Sequence, residues 1–225
     1  MRTIGVLGGM TWHSSAEYYR LINELAHERL GGSHAARCVL FSVDAASVEE
    51  LMLAERWDEA GTMLAADASA VERAGADVFV LGCNSLHHVW DTIVAPLSIP
   101  SIHIGDAAAS ALAGRERVLL LGTQFTMELP WLRERLEARG IEVLVPEAPD
   151  REEIQRTIFA ELSHGSFTDA TRAWYVELVS RFDVDAVVLA CSEIGLLLRA
   201  DDVAVPLVDT VHAHAQAVVA YAYDV

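Results

Sequence analysis

Two stretches of this chain read as copies of one another. Asp77-Val78-Phe79-Val80-Leu81-Gly82-Cys83-Asn84-Ser85 runs parallel to Asp185-Ala186-Val187-Val188-Leu189-Ala190-Cys191-Ser192-Glu193. Each is an acid, a short apolar run, a small residue, a cysteine and then polar residues able to open a helix. Ile99-Pro100 and Val205-Pro206 continue the match, and Ile4-Gly5-Val6-Leu7-Gly8 has a partner in Val118-Leu119-Leu120-Leu121-Gly122. A repeat of this size leaves few folds open. It predicts two similar lobes with one thiol each, and a cleft with a thiol on either wall, an arrangement suited to chemistry on both faces of one carbon.

Apolar runs alternate with helical patterns along the whole chain. Strands are predicted near 3–8, 37–43, 77–83, 99–103, 117–122, 141–145, 185–191 and 205–208. In the first helical segment Tyr18, Leu21, Ile22, Leu25 and Leu30 share a face, with Ser14 or Ser15 as the cap and Gly31-Gly32 as the stop. Further helices are expected over 55–74, 126–139, 150–163 and 169–182, and a last one over 209–223. The run Met52–Glu59 reads as a solvated helix start anchored by Trp57, and Asp150 with Arg151–Glu153 as another capped start. Continuous Val/Leu runs separated by helices imply parallel strands buried on both faces. The expected fold is therefore α/β: two similar lobes, each a mainly parallel sheet flanked by helices, related by pseudo-two-fold symmetry. The first lobe takes residues 1–97 plus 209–225 and carries Cys83; the second takes 98–208 and carries Cys191.

Composition removes several function classes. The 33 acidic residues against 16 basic ones give a net charge of −17, which repels nucleic acid and anionic membranes. All 16 basic residues are arginine. Without lysine there is no Schiff-base lysine for pyridoxal phosphate chemistry and no P-loop lysine. No apolar stretch approaches the ~20 residues of a membrane span, and the start of the chain shows no signal peptide. Three cysteines, an odd number, fit a reducing cytoplasm better than a disulfide scaffold.

In open parallel sheets ligands bind beyond the carboxyl ends of the strands, where Cys83 and Cys191 are expected. Asn84 or Ser85 is placed to cap a helix over Leu86–Val94, and Ser192 one starting near Glu193. A helix N-terminus stabilises anions, so it is expected to lower a nearby thiol's pKa and to hold a substrate carboxylate. Cys38, inside an apolar strand pattern, reads as core.

Four segments in order resemble the aspartate/glutamate racemase family. They are Gly5-Val6-Leu7-Gly8-Gly9-Met10-Thr11-Trp12 with Glu17-Tyr18-Tyr19, Cys83-Asn84-Ser85-Leu86-His87, Leu121-Gly122-Thr123-Gln124-Phe125-Thr126-Met127 and Cys191-Ser192-Glu193-Ile194. The resemblance runs from about residue 3 to about residue 215. It implies cofactor-independent racemisation of an amino acid by two cysteines of equal rank: one thiolate removes the α-proton and the opposite thiol returns a proton to the other face. The pair then titrates as a coupled system. The resemblance also implies a substrate pocket of Met10, Thr11, Asn84, Ser85, Thr123, Thr126, His164 and Ser192, and a homodimer. Two departures bear on the substrate. The loop expected over Asp44–Leu53 has no arginine, and Glu161-Leu162-Ser163-His164-Gly165 has His164 where the family often has lysine. His164 is a poorer fixed cation. The residues leave the range open between aspartate or glutamate and a wider set.

Other signals read more plainly. Gly8-Gly9 lacks the third glycine of a dinucleotide fingerprint and reads as a place where backbone approaches a small substrate. Cys83, His87 and His88 do not form a compact metal cluster, so no metal is expected. His87 and His88 read as first-turn helix residues, one inward and one exposed. His212 and His214 point apart on a helix and read as surface or packing residues. Two rivals to a racemase stand: a thiol-dependent isomerase or decarboxylase of small carboxylic acids on the same scaffold, and a non-catalytic regulator that binds a small ligand.

Overall fold

The computed structural model describes residues 1–223. The chain forms two compact units, one of Met1–Ile104 together with the chain from His214 onward, the other of Gly105–Ala213. The division falls after Ile104 and after Ala213.

The first unit holds β1 (Ile4–Gly8), β2 (Cys38–Ser42), β3 (Val78–Leu81) and β4 (Ser101–Ile102) in one sheet of order β2-β1-β3-β4. Every ladder in it is parallel. The second unit repeats the plan. It holds β5 (Arg117–Gly122), β6 (Glu142–Leu144), β7 (Ala186–Ala190) and β8 (Leu207–Asp209) in the order β6-β5-β7-β8, again all parallel. The α/β expectation therefore holds in each unit, and all eight expected strands are present. The central strands β1, β3 and β7 are buried along their whole length. The edge strands β2 and β8 are partly exposed. The position at the sheet edge accounts for the difference, since β2 carries consecutive apolar residues Val39, Leu40 and Phe41 and is still partly exposed.

The acid that opens each repeat has a mechanical role. Asp77 accepts the backbone N–H of Thr3 through Oδ2 at 2.7 Å, just ahead of β1. Asp185 accepts those of Glu116 and Arg117, both at 2.9 Å, at the start of β5. These backbone donors hold the Asp185 carboxyl below its ordinary pKa. Both acids thus tie the start of one central strand to the start of its neighbour.

The helices depart from expectation at their ends. α1 (Trp12–Leu30) is capped by Thr11, whose Oγ1 accepts from Ser14 N at 3.2 Å, and not by Ser14 or Ser15. Ser15 turns inward, and its hydroxyl accepts the N–H of Gly9 at 2.7 Å. Gly31 ends the helix, as expected. The segment Asp44–Leu53, expected as a loop, contains α2 (Ala45–Leu53), with Asp44 as its cap. A turn with Glu55 at φ 54° separates it from α3 (Trp57–Arg73), so Met52–Glu59 is not one continuous helix start. After β3 comes a 3-10 turn over Ser85–Val89, and only then the short helix α4 (Trp90–Val94). α5 (Ile104–Ala111) follows β4. The helix expected over 126–139 is two, α6 (Gln124–Glu128) and α7 (Pro130–Glu137), because a proline at a first helical position forces Leu129 into extended backbone. α8 (Ala148–Ala160), α9 (Asp169–Ser180), α10 (Ser192–Leu197) and α11 (Thr210–Tyr223) complete the chain.

Gly9 is needed by the chain itself. It has φ 106°, and a side chain there would collide with the backbone of Val43. The close approach expected for a substrate is thus made by the turn after β2. Cys38, expected in the core, is half-buried on edge strand β2, where burial pushes its thiol pKa up.

Three elements of the first unit meet at His214. Nε2 donates to the Ile102 carbonyl at 2.8 Å, so Nδ1 is the acceptor of the Tyr18 hydroxyl, also at 2.8 Å. This joins α11 to β4 and α1. Arg2 adds to the hold on α11, donating to the carbonyl of Tyr221 in its last turn, where the helix dipole favours a cation. His212 is exposed and His214 has no exposed surface, so the pair does point apart.

Burial lowers the His214 pKa to about 4. An unfolded imidazole takes its proton near pH 6.5. Between these values the unfolded chain binds more protons, so stability falls as pH falls through this window and is unaffected above it. The full loss is about 3 kcal/mol. Unfolding free energies from urea titrations between about pH 7 and about pH 4 should fall by that much more in the wild type than in His214→Gln. Parallel pH profiles for the two proteins would refute the assignment.

Candidate functional site

Both repeat cysteines stand just past the carboxyl end of a central strand, Cys83 after β3 and Cys191 after β7. In each unit the strand before it in the sheet order ends alongside. Gly82 N donates to Leu7 O at 2.8 Å, which brings the turn with Met10 and Thr11 to the Cys83 end of the first sheet. Gly122 pairs with Ala190, so Thr123 and Cys191 leave the second sheet side by side.

In the second unit Cys191 is itself the N-cap of α10, with extended backbone (φ −151°, ψ 124°). Ser192 is the first helical residue and not the cap. Glu193 turns back on the cysteine. Its Oε2 lies 3.1 Å from Cys191 Sγ and accepts the Ser192 hydroxyl at 2.7 Å. Glu193 is only 5% exposed, so its carboxylate needs donors, and the thiol and the hydroxyl supply them. The expected lowering of the thiol pKa does not hold at Cys191. The backbone N–H groups of Glu193 and Ile194 do pull it down, but burial first, and then the Glu193 charge and hydrogen bond, push it well up. The helix-end effect is the smaller one.

Of the expected pocket residues in this unit, Thr126 is buried, with its hydroxyl 3.3 Å from that of Thr123. His164 is exposed, at the end of a 3-10 turn (Leu162–His164) that packs against α10.

In the first unit Asn84 and Ser85 are both buried and Cys83 is half-buried. Asn84 has helical backbone (φ −61°, ψ −57°), unlike the extended cap that was expected. Met10 and Thr11 are half-buried. His87 is buried and His88 half-buried, so the expectation of one inward and one outward histidine holds in part. The His87 ring stacks on Trp90 at 4.9 Å and meets His103 edge-on at 4.6 Å. Burial first, then His103 and His214, hold its pKa well below the ordinary value. Its Nδ1 donates to the Cys83 carbonyl at 2.8 Å, and its Nε2 accepts the N–H of Ile104 at 3.3 Å. Both nitrogens are engaged by backbone. Among the described residues no group of three or more His, Cys, Asp or Glu side chains is placed to hold a metal ion. No helix among them is long and apolar enough to cross a membrane.

The sequence places Glu193 and His87 in the two cysteine motifs, and His87 in a first helical turn, but does not show that Glu193 faces the thiol or that His87 bonds the Cys83 carbonyl. The signals were there: an acid at the second position of a helix, where it can reach back, and a histidine four residues after a cysteine.

Glu193→Gln removes the charge that raises the Cys191 pKa. The pH midpoint of its iodoacetamide labelling, followed by peptide mass spectrometry, should move down, yet stay above the ordinary thiol value near 8.5 because burial remains. An unmoved midpoint would show that the carboxylate does not act on the thiol.

Residues 7–218 match the model of the Asp/Glu/Hydantoin racemase family. The chain is 20% identical over 213 residues, 92% of either protein, to the broad specificity amino-acid racemase RacX of Bacillus subtilis (strain 168). Among solved structures it superposes with a TM-score of 0.90 and 38% identity on a candidate Asp/Glu racemase from Yersinia pestis, covering 99% of each chain. An aspartate racemase homologue from Pyrococcus horikoshii OT3 gives 0.88 and 30%, over 100% of each chain. The two parallel four-stranded sheets, each with a thiol at the same strand end, and the match over nearly the whole length agree: the chain belongs to the Asp/Glu/hydantoin racemase family, a membership that supports amino-acid racemase activity.

Proposed function

We propose that this chain is a PLP-independent amino-acid racemase in which Cys83 and Cys191 are the two acid/base residues. The observation that carries the reading is their equivalence. Two units of one topology each set a cysteine just past the same strand of the sheet, with buried polar residues next to it. A lysine for a Schiff base is missing from the chain, and a thiol pair supplies the same proton transfers without one.

The roles of the two thiols follow from their surroundings. Cys191, held to a buried carboxylate, is the protonated member at rest. In the direction in which Cys191 is the acid, Cys83 is the base. It takes the α-proton from one face while Cys191 gives its proton to the other, and the opposite enantiomer runs the exchange in reverse. Glu193 accepts the Cys191 hydrogen bond in one state and must tolerate a thiolate in the other, which sets a coupled titration. Backbone N–H groups near Asn84, Ser85 and Ser192 hold the substrate carboxylate as charge develops. Met10, Thr11, Thr123 and Thr126 shape the pocket, with His164 at its margin.

The substrate range extends beyond aspartate and glutamate. α2 brings no arginine, and the exposed His164 is a weak fixed cation for a second carboxylate. The relative named as broad in specificity supports this range. The working form is taken as a cytoplasmic homodimer, and the net charge of −17 argues against a nucleic-acid partner.

Single enantiomers of the common amino acids incubated in heavy water should gain deuterium at the α-carbon and lose optical purity. Cys83→Ala and Cys191→Ala should each lower interconversion by roughly 10²-fold to 10⁴-fold, the range of general acid–base catalysis. Each variant should retain, at most, exchange on one enantiomer. Full interconversion in either variant would rule out the two-thiol mechanism, and release of carbon dioxide would favour a decarboxylase.

A further inference from the structure

The ladder between β3 and β4 ends at Val80 and Ile102, before Cys83 is reached. On the other side β3 is still held, through Gly82 N on Leu7 O. Towards β4 the link is made by a side chain. His87 donates from Nδ1 to the Cys83 carbonyl at 2.8 Å and accepts the N–H of Ile104, the first residue of α5, on Nε2 at 3.3 Å. A carbonyl can only accept and an amide N–H can only donate, so the ring is fixed as the neutral Nδ1–H tautomer. Its plane is fixed too, stacked on Trp90 within 8° of parallel and closed at its edge by His103. The low pKa of the buried ring keeps this donor–acceptor pattern at neutral pH.

The second unit solves the same problem with different residues. Gly195 stands four residues after Cys191, as His87 stands four after Cys83. A side chain on Gly195 would collide with Asp209 Oδ2. Asp209 lies at the end of β8, opposite Leu189, and its Oδ1 accepts the N–H groups of Val211 and His212 at the start of α11. In one unit an imidazole from the cysteine turn reaches the next strand's helix; in the other a carboxylate from that strand occupies the place.

We infer that His87 is a positioning residue for Cys83, its imidazole fixing the Cys83 peptide against the start of α5 so that the thiol keeps its aim. The inference deepens the racemase reading, on which its kinetic readout rests. Loss of the bridge frees the Cys83 turn, and a shift of ~1 Å at a reacting group costs up to ~10²-fold in rate. The effect belongs to one thiol and shows in α-proton exchange from the enantiomer which that thiol deprotonates.

The test compares His87→Leu, His87→Asn and His87→Gln in the full chain. Asparagine can place an amide N–H near Nδ1 and keep the bond to the Cys83 carbonyl; glutamine reaches only the Nε2 position. Two measurements are read. One is peptide-resolved iodoacetamide labelling, with Cys191 in the same sample as the reference. The other is α-proton exchange of each enantiomer, the enantiomer served by Cys83 being identified with Cys83→Ala. In His87→Leu and His87→Gln the Cys83 labelling rate should change while that of Cys191 does not. Their α-proton exchange should fall by about 10-fold to 100-fold, most strongly for the enantiomer served by Cys83, while kcat/KM for interconversion falls equally in both directions, as the unit equilibrium constant of a racemisation requires. His87→Asn should keep most of both properties. A folded His87→Leu with unchanged Cys83 labelling, or with equal losses of α-proton exchange for both enantiomers, overturns the inference. If His87→Leu does not fold, the Asn and Gln variants decide, and equal behaviour of these two overturns it. If the wild type racemises no amino acid, the racemase reading falls, and labelling alone decides the role of His87.

Discussion

Where a parallel ladder stops, its strands part, and backbone groups that were paired must find other partners. The two repeat cysteines of this chain are set at two such places. Upstream of them the structure is held by strand pairing and buried Val and Leu side chains. Beyond them side chains take over: His87 in the first unit, Glu193 and Asp209 in the second. A buried polar group without a partner costs about 1–3 kcal/mol, so these side chains are as much a part of the fold as of the site.

That constraint explains which parts of the protein were legible in the sequence. The strands were, because β1, β3, β5 and β7 are near-continuous apolar runs, each closed by a small residue. The duplication was, because each repeat opens on an aspartate that binds the backbone ahead of the neighbouring strand. Helix ends were less legible. Thr11 rather than Ser14 or Ser15 caps α1, and the choice depends on Ser15 being drawn inward to Gly9, a contact made through the fold. The split at Pro130 was readable from the proline alone and was passed over. α2 was less legible because it is only 9 residues long and buries only Val48 and Met52, too short a stretch to show a clear period.

The site divides in the same way. The two cysteines stood out by repetition, a pattern along the chain. Their electrostatic surroundings did not, because these depend on where side chains turn. Both thiols were expected to be lowered by a helix end, yet at Cys191 that effect is present and outweighed. A helix dipole contributes about half a charge spread over several N–H groups, whereas Glu193 brings a whole charge within hydrogen-bond reach of a buried sulfur. Distance and burial decide which wins, and neither can be read from spacing.

The two copies of the repeat have kept one backbone plan and lost chemical equivalence. At the position four residues past the cysteine one has an imidazole and the other a glycine. At the matching strand end one has His103 and the other Asp209. The first unit therefore sets aromatic rings beside its cysteine turn, and the second sets carboxylates beside its own. A reversible two-thiol exchange needs one sulfur protonated and one not before substrate arrives. Two identical environments would leave that choice undetermined, and half of the molecules with the proton on the wrong side for a given enantiomer. The Glu193 carboxylate beside Cys191 favours the protonated form of that thiol. Such a bias cannot change the equilibrium between enantiomers, so kcat/KM stays equal in the two directions and only kcat and KM change together. Divergence between the copies is thus compatible with a racemase, and the residues that carry it, Glu193 and Asp209 against His87 and His103, are where a preference between enantiomers in rate would originate.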